Sequence, residues 1–214
     1  TMRIRWPFVK KTLMRSAKAK NLPKDLAEEL ATVMEESYKS VFPVVDEDNL
    51  QGGLSNTIAG RVSNYFNLHG GGYNVDGACA SSLLAICTAA DHLRSGKLDI
   101  AIAGGVDVSL DTFELIGFAK TSALTPDDMT VYDERGNGFL PGEGCGFVVL
   151  KRLKDALAAG DEIYSVMKGW GVSSDGKGGM TAPSSQGQSR ALQQAYNMAG
   201  YSPGQLNFVE GHGT

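Results

Sequence analysis

The stretch Val75-Asp76-Gly77-Ala78-Cys79-Ala80-Ser81-Ser82 sets a cysteine at the junction of two hydrophobic patterns. Before it, residues 73–76 read as a short strand. After it, Leu83, Leu84, Ile86, Cys87, Ala90 and Leu93 recur with a helical period and leave little polar surface, which predicts a buried helix over residues 80–95. Gly96 closes that helix in the manner of a C-terminal glycine. Residues 98–103 then alternate Ile and Ala as a strand and end at Gly104 and Gly105. Strand, helix, strand in this order predicts the α/β class, with a parallel or mixed sheet covered on both faces.

Outward from this centre the same signals repeat. Further strands are expected at residues 146–150, 163–171 and 206–210, with helices at 154–159 and 188–199, the second stopped by Gly200. Upstream, residues 23–38 carry Leu26, Leu30, Val33 and Met34 at helical spacing, a solvated helix covering the core. The first 24 residues are basic, with Arg3, Arg5, Lys10, Lys11, Arg15, Lys18, Lys20 and Lys24. The chain is expected to fall into an N-terminal helical segment (1–50), a first half that carries the cysteine (51–160) and the start of a second half (161–214).

Composition narrows the function. The 214 residues have a formal charge of −4, so no surplus of positive charge supports a nucleic-acid partner. No apolar run approaches the roughly 20 residues that span a bilayer, and the N-terminus lacks a signal-peptide layout; a cytoplasmic protein without a membrane partner is expected. Cys79, Cys87 and Cys145 form an odd set without Cys-x-x-Cys spacing, which argues for free thiols and against a disulfide framework or a metal site.

Cys79 is the candidate nucleophile. Unpaired N–H groups in a first helical turn carry partial positive charge that suits an attacking sulfur and can hold a carbonyl oxygen during acyl transfer. Gly77, Ala78 and Ala80 keep the turn tight and the sulfur accessible. Cys87, on the apolar helix, and Cys145, between glycines, read as packing residues. Three histidines could partner the sulfur. His69 precedes a glycine loop and His92 lies near the end of the apolar helix, both structural positions. His212, in Glu210-Gly211-His212-Gly213-Thr214, follows an expected strand, where α/β sheets build their sites. The residues alone leave a catalytic and a structural His212 equally open.

Taken together, Asp76-Gly77-Ala78-Cys79-Ala80-Ser81-Ser82, Ala103-Gly104-Gly105-Val106, Asp133-Glu134-Arg135-Gly136-Asn137-Gly138-Phe139, Gly142-Glu143-Gly144-Cys145-Gly146 and Glu210-Gly211-His212-Gly213-Thr214 resemble the beta-ketoacyl synthase (ketosynthase) domains of iterative type I polyketide synthases. The segments Gly52-Gly53-Leu54-Ser55-Asn56-Thr57-Ile58-Ala59-Gly60-Arg61 and Phe113-Glu114-Leu115-Ile116-Gly117-Phe118-Ala119-Lys120 look most like the synthases that make enediyne polyenes. Gly77 departs from a common Thr and Ala80 from a common Ser; neither touches the sulfur chemistry.

The resemblance implies a thiolase-like layered α/β/α/β/α fold, here its N-terminal half and the start of its C-terminal half, and a homodimer. It implies that Cys79 accepts an acyl chain from the phosphopantetheine arm of an acyl carrier protein, with no cofactor bound directly. A malonyl thioester on the carrier would lose carbon dioxide and attack the Cys79 thioester. His212 would hydrogen-bond the malonyl thioester carbonyl, Thr214 would contact the pantetheine arm, and the Cys79 N–H would form one side of an oxyanion hole. Asp133, Arg135 and Glu143 would be structural. Relatives carry a lysine and a second histidine beyond the last motif, which is why a partial domain is expected.

Three other readings share some of these residues. A thiolase-like condensing enzyme would take coenzyme A thioesters on the same fold. A non-catalytic ketosynthase-like subunit would shape a complex, although such subunits usually lose the cysteine. A hydrolase would need glycine rather than Ser81 in its nucleophile turn.

Overall fold

The computed structural model describes residues 2–108, 110–177 and 182–213. The chain divides into two units, Thr1–Asn74 and Val75–Thr214.

The first unit is helical. A 3-10 turn, Met2–Arg5, leads into α1 (Trp6–Ala19), which packs on α2 (Lys24–Ser40). Trp6 and Ala17 are buried on α1, Ala27 and Ala31 on α2. The buried stripe of α2 is thus its small residues. Leu26, Leu30, Val33 and Met34, expected to face a core, remain exposed, because Ala27 and Ala31 let the two backbones approach and turn the longer side chains outward. Trp6 packs against Tyr38 with the rings tilted by 43° and their centroids 5.4 Å apart. The Arg3 guanidinium donates to the carbonyls of Lys39 (2.7 Å) and Phe42 (3.1 Å), satisfying acceptors that the end of α2 leaves open. Two shorter helices follow, α3 (Glu47–Gly52) and α4 (Asn56–Tyr65). The Asp46 carboxylate caps α3 by accepting from the N–H groups of Asp48 and Asn49.

The second unit is built on α5 (Ser81–Arg94), entered through the 3-10 turn Ala78–Ala80. It packs on β1 (Ile100–Asp107), which continues past the two glycines expected to end it. Next come α6 (Thr112–Lys120), β2 (Gly144–Lys151), α7 (Leu153–Ala159) and α8 (Ser185–Ala199). Gly96, Gly160 and Gly200, at the C-terminal ends of α5, α7 and α8, have φ of +73°, +71° and +76°, the left-handed conformation glycine adopts at little cost.

The one ladder among the described residues pairs β1 with β2, and it is antiparallel, not part of the parallel or mixed sheet expected. Ala101 faces Leu150, Ala103 faces Val148 and Gly105 faces Gly146. This face, lined by small residues on β1, receives α5: Ala103 is buried, and a Cβ on Gly105 would stand 2.8 Å from the Ser82 Cβ. The opposite face carries Ile102, Val106, Phe147 and Val149, all exposed. On α5 only Ala89, Ala90 and Leu93 are buried, fewer than its apolar content predicts, because β1 and β2 cover a single stripe of it.

Residues 73–76, 163–171 and 206–210 form no strand. Apolar β-branched content makes a strand only where a neighbouring backbone supplies hydrogen bonds. Residues 169–171 lie instead against α8: a Cβ on Gly169 would overlap the Ala195 carbonyl oxygen, and one on Gly171 that of Ala191.

Candidate active site

Cys79 lies at the head of α5 and is exposed. Side chains on both sides hold its turn. The Asp76 carboxylate accepts from the Ala78 N–H at 2.9 Å. Ser81 Oγ accepts from the Gly77 N–H at 2.9 Å and donates to the Ala78 carbonyl at 2.7 Å, while the Ala80 N–H donates to the Gly77 carbonyl at 3.1 Å. Between these bonds Ala78 adopts φ +50°, a left-handed conformation unusual for a residue with a Cβ. The strain sits on the residue just before the sulfur. Gly77 itself is not left-handed, at φ −140°, and an added Cβ would meet Leu84 Cδ1, the end of a flexible side chain on α5 that can turn aside. The chain enters this turn from irregular backbone rather than from a strand.

Gly105 lets α5 approach the ladder closely, and Gly104 lets the two strands do so. At Gly105 there is room for Ser82, three residues after the cysteine, and at Gly104 a Cβ would overlap the Gly146 carbonyl oxygen across the ladder. Cys87 is partly covered on α5, where burial first and the Asp91 carboxylate second push its thiol above the ordinary value. Cys145, read as a packing residue, is exposed on β2 opposite Val106, since β2 has no element over that face among the described residues.

The loop 123–139 forms a second cluster. Leu124 bridges Phe139, the Phe139 N–H donates to the Ala123 carbonyl, and buried Thr125 donates its hydroxyl to Asn137 Oδ1 at 2.6 Å. Gly138, at φ +146°, has no room for a Cβ, which would stand 2.5 Å from the Leu124 carbonyl carbon. Asp133 takes Arg135 in a fork, with Nε at 2.8 Å and Nη2 at 2.7 Å, and these bonds hold its carboxyl below the ordinary range. Glu143 Oε1 accepts from the Leu110 N–H at 2.9 Å, tying the approach to β2 to the segment after β1. The geometry of Asp133, Arg135 and Glu143 is that of loop ties.

His212 is exposed, and its segment lies against this cluster at Val131 and Tyr132. No hydrogen bond joins His212 to Cys79 among the described residues. Thr214 lies outside the described residues. The sequence reading missed Tyr132, whose only signal is its place just before the Asp133 motif, and Ser81, which reads as an ordinary first-turn serine.

Residues 18–156 match the beta-ketoacyl synthase N-terminal domain, and residues 164–214 match the beta-ketoacyl synthase C-terminal domain. The chain belongs to the beta-ketoacyl synthase family. It is 42% identical over 191 residues to a polyunsaturated fatty acid synthase polypeptide of a Thraustochytrium species, covering 88% of this chain and 7% of that protein. Over 157 residues it is 43% identical to a phenolphthiocerol/phthiocerol polyketide synthase polypeptide of Mycobacterium tuberculosis, covering 72% of this chain and 9% of that protein. The chain therefore spans less than a tenth of either curated relative. Among solved structures it is similar to the ketosynthase from module 6 of the bacillaene synthase of Bacillus subtilis 168, with a TM-score of 0.74 and 38% identity over 76% of this chain and 30% of that one. An oxazolomycin ketosynthase domain of Streptomyces albus JA3453 gives a TM-score of 0.73 and 34% identity over 78% of this chain and 31% of that one. The fold is part of the thiolase-like fold of ketosynthases, with helix and sheet mixed.

Proposed function

We propose that this chain is the nucleophile-bearing part of a ketosynthase that extends an acyl chain held on Cys79. The observation that carries the reading is the exposed Cys79 at the head of α5, in a turn tied by Asp76 and Ser81, within a chain of the beta-ketoacyl synthase family. In the first half-reaction Cys79 Sγ attacks the thioester carbonyl on an acyl carrier protein; the bond to the carrier sulfur breaks, and that sulfur takes the proton. The first-turn N–H groups, that of Cys79 among them, stabilise the oxyanion. In the second, the bond from a malonyl thioester to its carboxylate breaks, carbon dioxide leaves, and the electron pair becomes an enolate. His212 hydrogen-bonds the enolate oxygen. The enolate carbon attacks the Cys79 thioester, the carbon–sulfur bond breaks, and the departing thiolate takes a proton from water.

Thr214 is assigned to the pantetheine arm, and the protein to a cytoplasmic homodimer. The finer assignment, an iterative synthase of the enediyne polyene kind, rests on residues 52–61 and 113–120. Incubation with a carrier protein bearing a labelled acyl group, followed by peptide mass analysis, tests the reading. Label on Cys79 from the carrier is expected. Label only from a coenzyme A thioester would turn the assignment to a thiolase-like enzyme, and no label to a non-catalytic role. In a protein that includes the whole ketosynthase domain, with malonyl carrier protein added, His212→Ala is expected to stop condensation and leave Cys79 acylation largely intact.

A further inference from the structure

His212 stands between two glycines, and both face side chains of one short loop. A Cβ on Gly211 would overlap the Tyr132 hydroxyl. One on Gly213 would stand 2.6 Å from Val131 Cγ1 and 3.7 Å from Tyr132 Cζ. The volume that ordinary side chains would occupy on either side of the imidazole is thus filled by Val131 and Tyr132. The two glycines are small for different reasons. Gly213, at φ +71°, needs glycine for its backbone; Gly211 lies outside the left-handed region, and the end of the Tyr132 side chain bars a Cβ there, the hydroxyl by overlap and ring carbon Cζ at 3.1 Å.

The loop that presents Tyr132 is itself held. Tyr132 has φ +57°, a conformation that persists in a non-glycine residue when its surroundings impose it. Its neighbour Asp133 is gripped by the Arg135 fork, and the Gly136 N–H donates to the Asp133 carbonyl at 3.0 Å, closing a turn. The Tyr132 side chain adds little to a core, since the residue is 80% exposed, but its hydroxyl end meets the backbone beside His212.

We propose that Tyr132 is a positioning residue that sets the place of the His212 imidazole through contact with Gly211. The inference rests on the role of His212 given above and adds that the Asp133 loop reaches the chemistry through this tyrosine. The fork between Asp133 and Arg135 fixes the loop, the loop fixes the ring, and the ring fixes the backbone carrying the imidazole. A displacement of about 1 Å at such a group can cost on the order of 100-fold in rate.

The test is a rescue. Gly211→Ala, Tyr132→Phe, the double variant and His212→Ala are compared in a protein that includes the whole ketosynthase domain, supplied with acyl and malonyl carrier proteins, reading Cys79 acylation by mass and condensation by product. Gly211→Ala is expected to slow condensation on the order of 100-fold, well beyond any effect on acylation. Adding Tyr132→Phe removes the overlapping hydroxyl and leaves only ring carbon Cζ, at 3.1 Å, which a small shift of the ring relieves, so it should restore at least about tenfold, a recovery that general destabilisation would not give. Wild-type condensation in Gly211→Ala, or a double variant no faster than Gly211→Ala, overturns the proposal. Should Gly211→Ala fail to fold, Tyr132→Ala decides: condensation falling at least about fivefold further than acylation supports positioning, and equal falls refute it. If His212→Ala still condenses, the role of His212 is at fault. If it does not and the rescue is absent, only the part given to Tyr132 falls.

Discussion

Three thiols compete for an electrophile, and their surroundings differ in ways that rank them. Cys79 is exposed in a tied turn at the head of a helix. Cys145 is also exposed, but on a strand, without a helix N-terminus beside it. Cys87 is partly covered, and burial followed by the Asp91 carboxylate raises its pKa. The thiolate is the reactive form, so a raised pKa moves the onset of alkylation to higher pH in the folded protein. Iodoacetamide at neutral pH, with the modified peptides identified by mass, is expected to label Cys79 first, Cys145 second and Cys87 last. Cys87 should gain ground as pH rises, and denaturant should erase its lag. Label on Cys145 ahead of Cys79 would mean that exposure alone decides and that the turn adds nothing. The raised pKa also sets a sign for stability: the folded state holds the Cys87 proton where the unfolded chain has lost it, so this residue's contribution is present below the ordinary thiol pKa and fades above it.

At the scale of elements, α5 and β2 are both placed by what β1 lacks. Gly105 lets Ser82 approach, and Gly104 lets the Gly146 carbonyl approach. Gly105→Ala sets its new carbon against the Ser82 Cβ and should cost about 1–3 kcal/mol, the usual range for overpacking. Gly104→Ala meets backbone rather than side chain and should cost more. Gly117, inside α6 with nothing within 4 Å of an added Cβ, is the control, and Gly117→Ala should stabilise by about 0.5–1 kcal/mol. Thermal unfolding of the three variants measures the order. Gly105→Ala should also slow Cys79 acylation, because Ser82 and Cys79 share the head of α5. Unchanged acylation with lowered stability would show that the head of the helix adjusts without disturbing the sulfur.

On the scale of the second unit as a whole, Arg152 joins three elements. Its guanidinium donates to the carbonyls of Leu93 (3.1 Å) and Leu98 (2.6 Å), at the end of α5 and the entry to β1, and to Asp99 (2.6 Å) and Asp155 (2.5 Å), the latter on α7. The bond to Asp99 is screened by water, since that side chain is 90% exposed; the two carbonyls are the part that matters. Arg152→Ala should lower Tm by a few degrees, roughly the response of a chain this size to a lost charged tie. Arg152→Lys should recover little, because an ammonium lacks the planar fork that serves carbonyls and carboxylates together. Full recovery by lysine would show that charge alone suffices.

The turn that holds Cys79 at the head of a helix, the helix behind it and the ketosynthase family itself were legible in the residues, because they are written in local period and in motif order. So were the ends of α5, α7 and α8, where Gly96, Gly160 and Gly200 take the left-handed conformation. Strand pairing was not legible: residues 163–171 and 206–210 have the composition of strands, but a ladder depends on which backbone lies alongside, and Gly169 and Gly171 met α8 instead. The buried stripe of α2 was also misjudged, since Ala27 and Ala31 outcompete larger neighbours by allowing closer approach, a property of the pair of helices and not of either one. Only the tertiary structure brought Tyr132 to Gly211, across a separation in sequence that no local pattern records. Local conformation follows from each residue's own sterics and hydrogen bonds, whereas register, burial and the meeting of distant loops follow from excluded volume shared among elements, which no single stretch of chain contains.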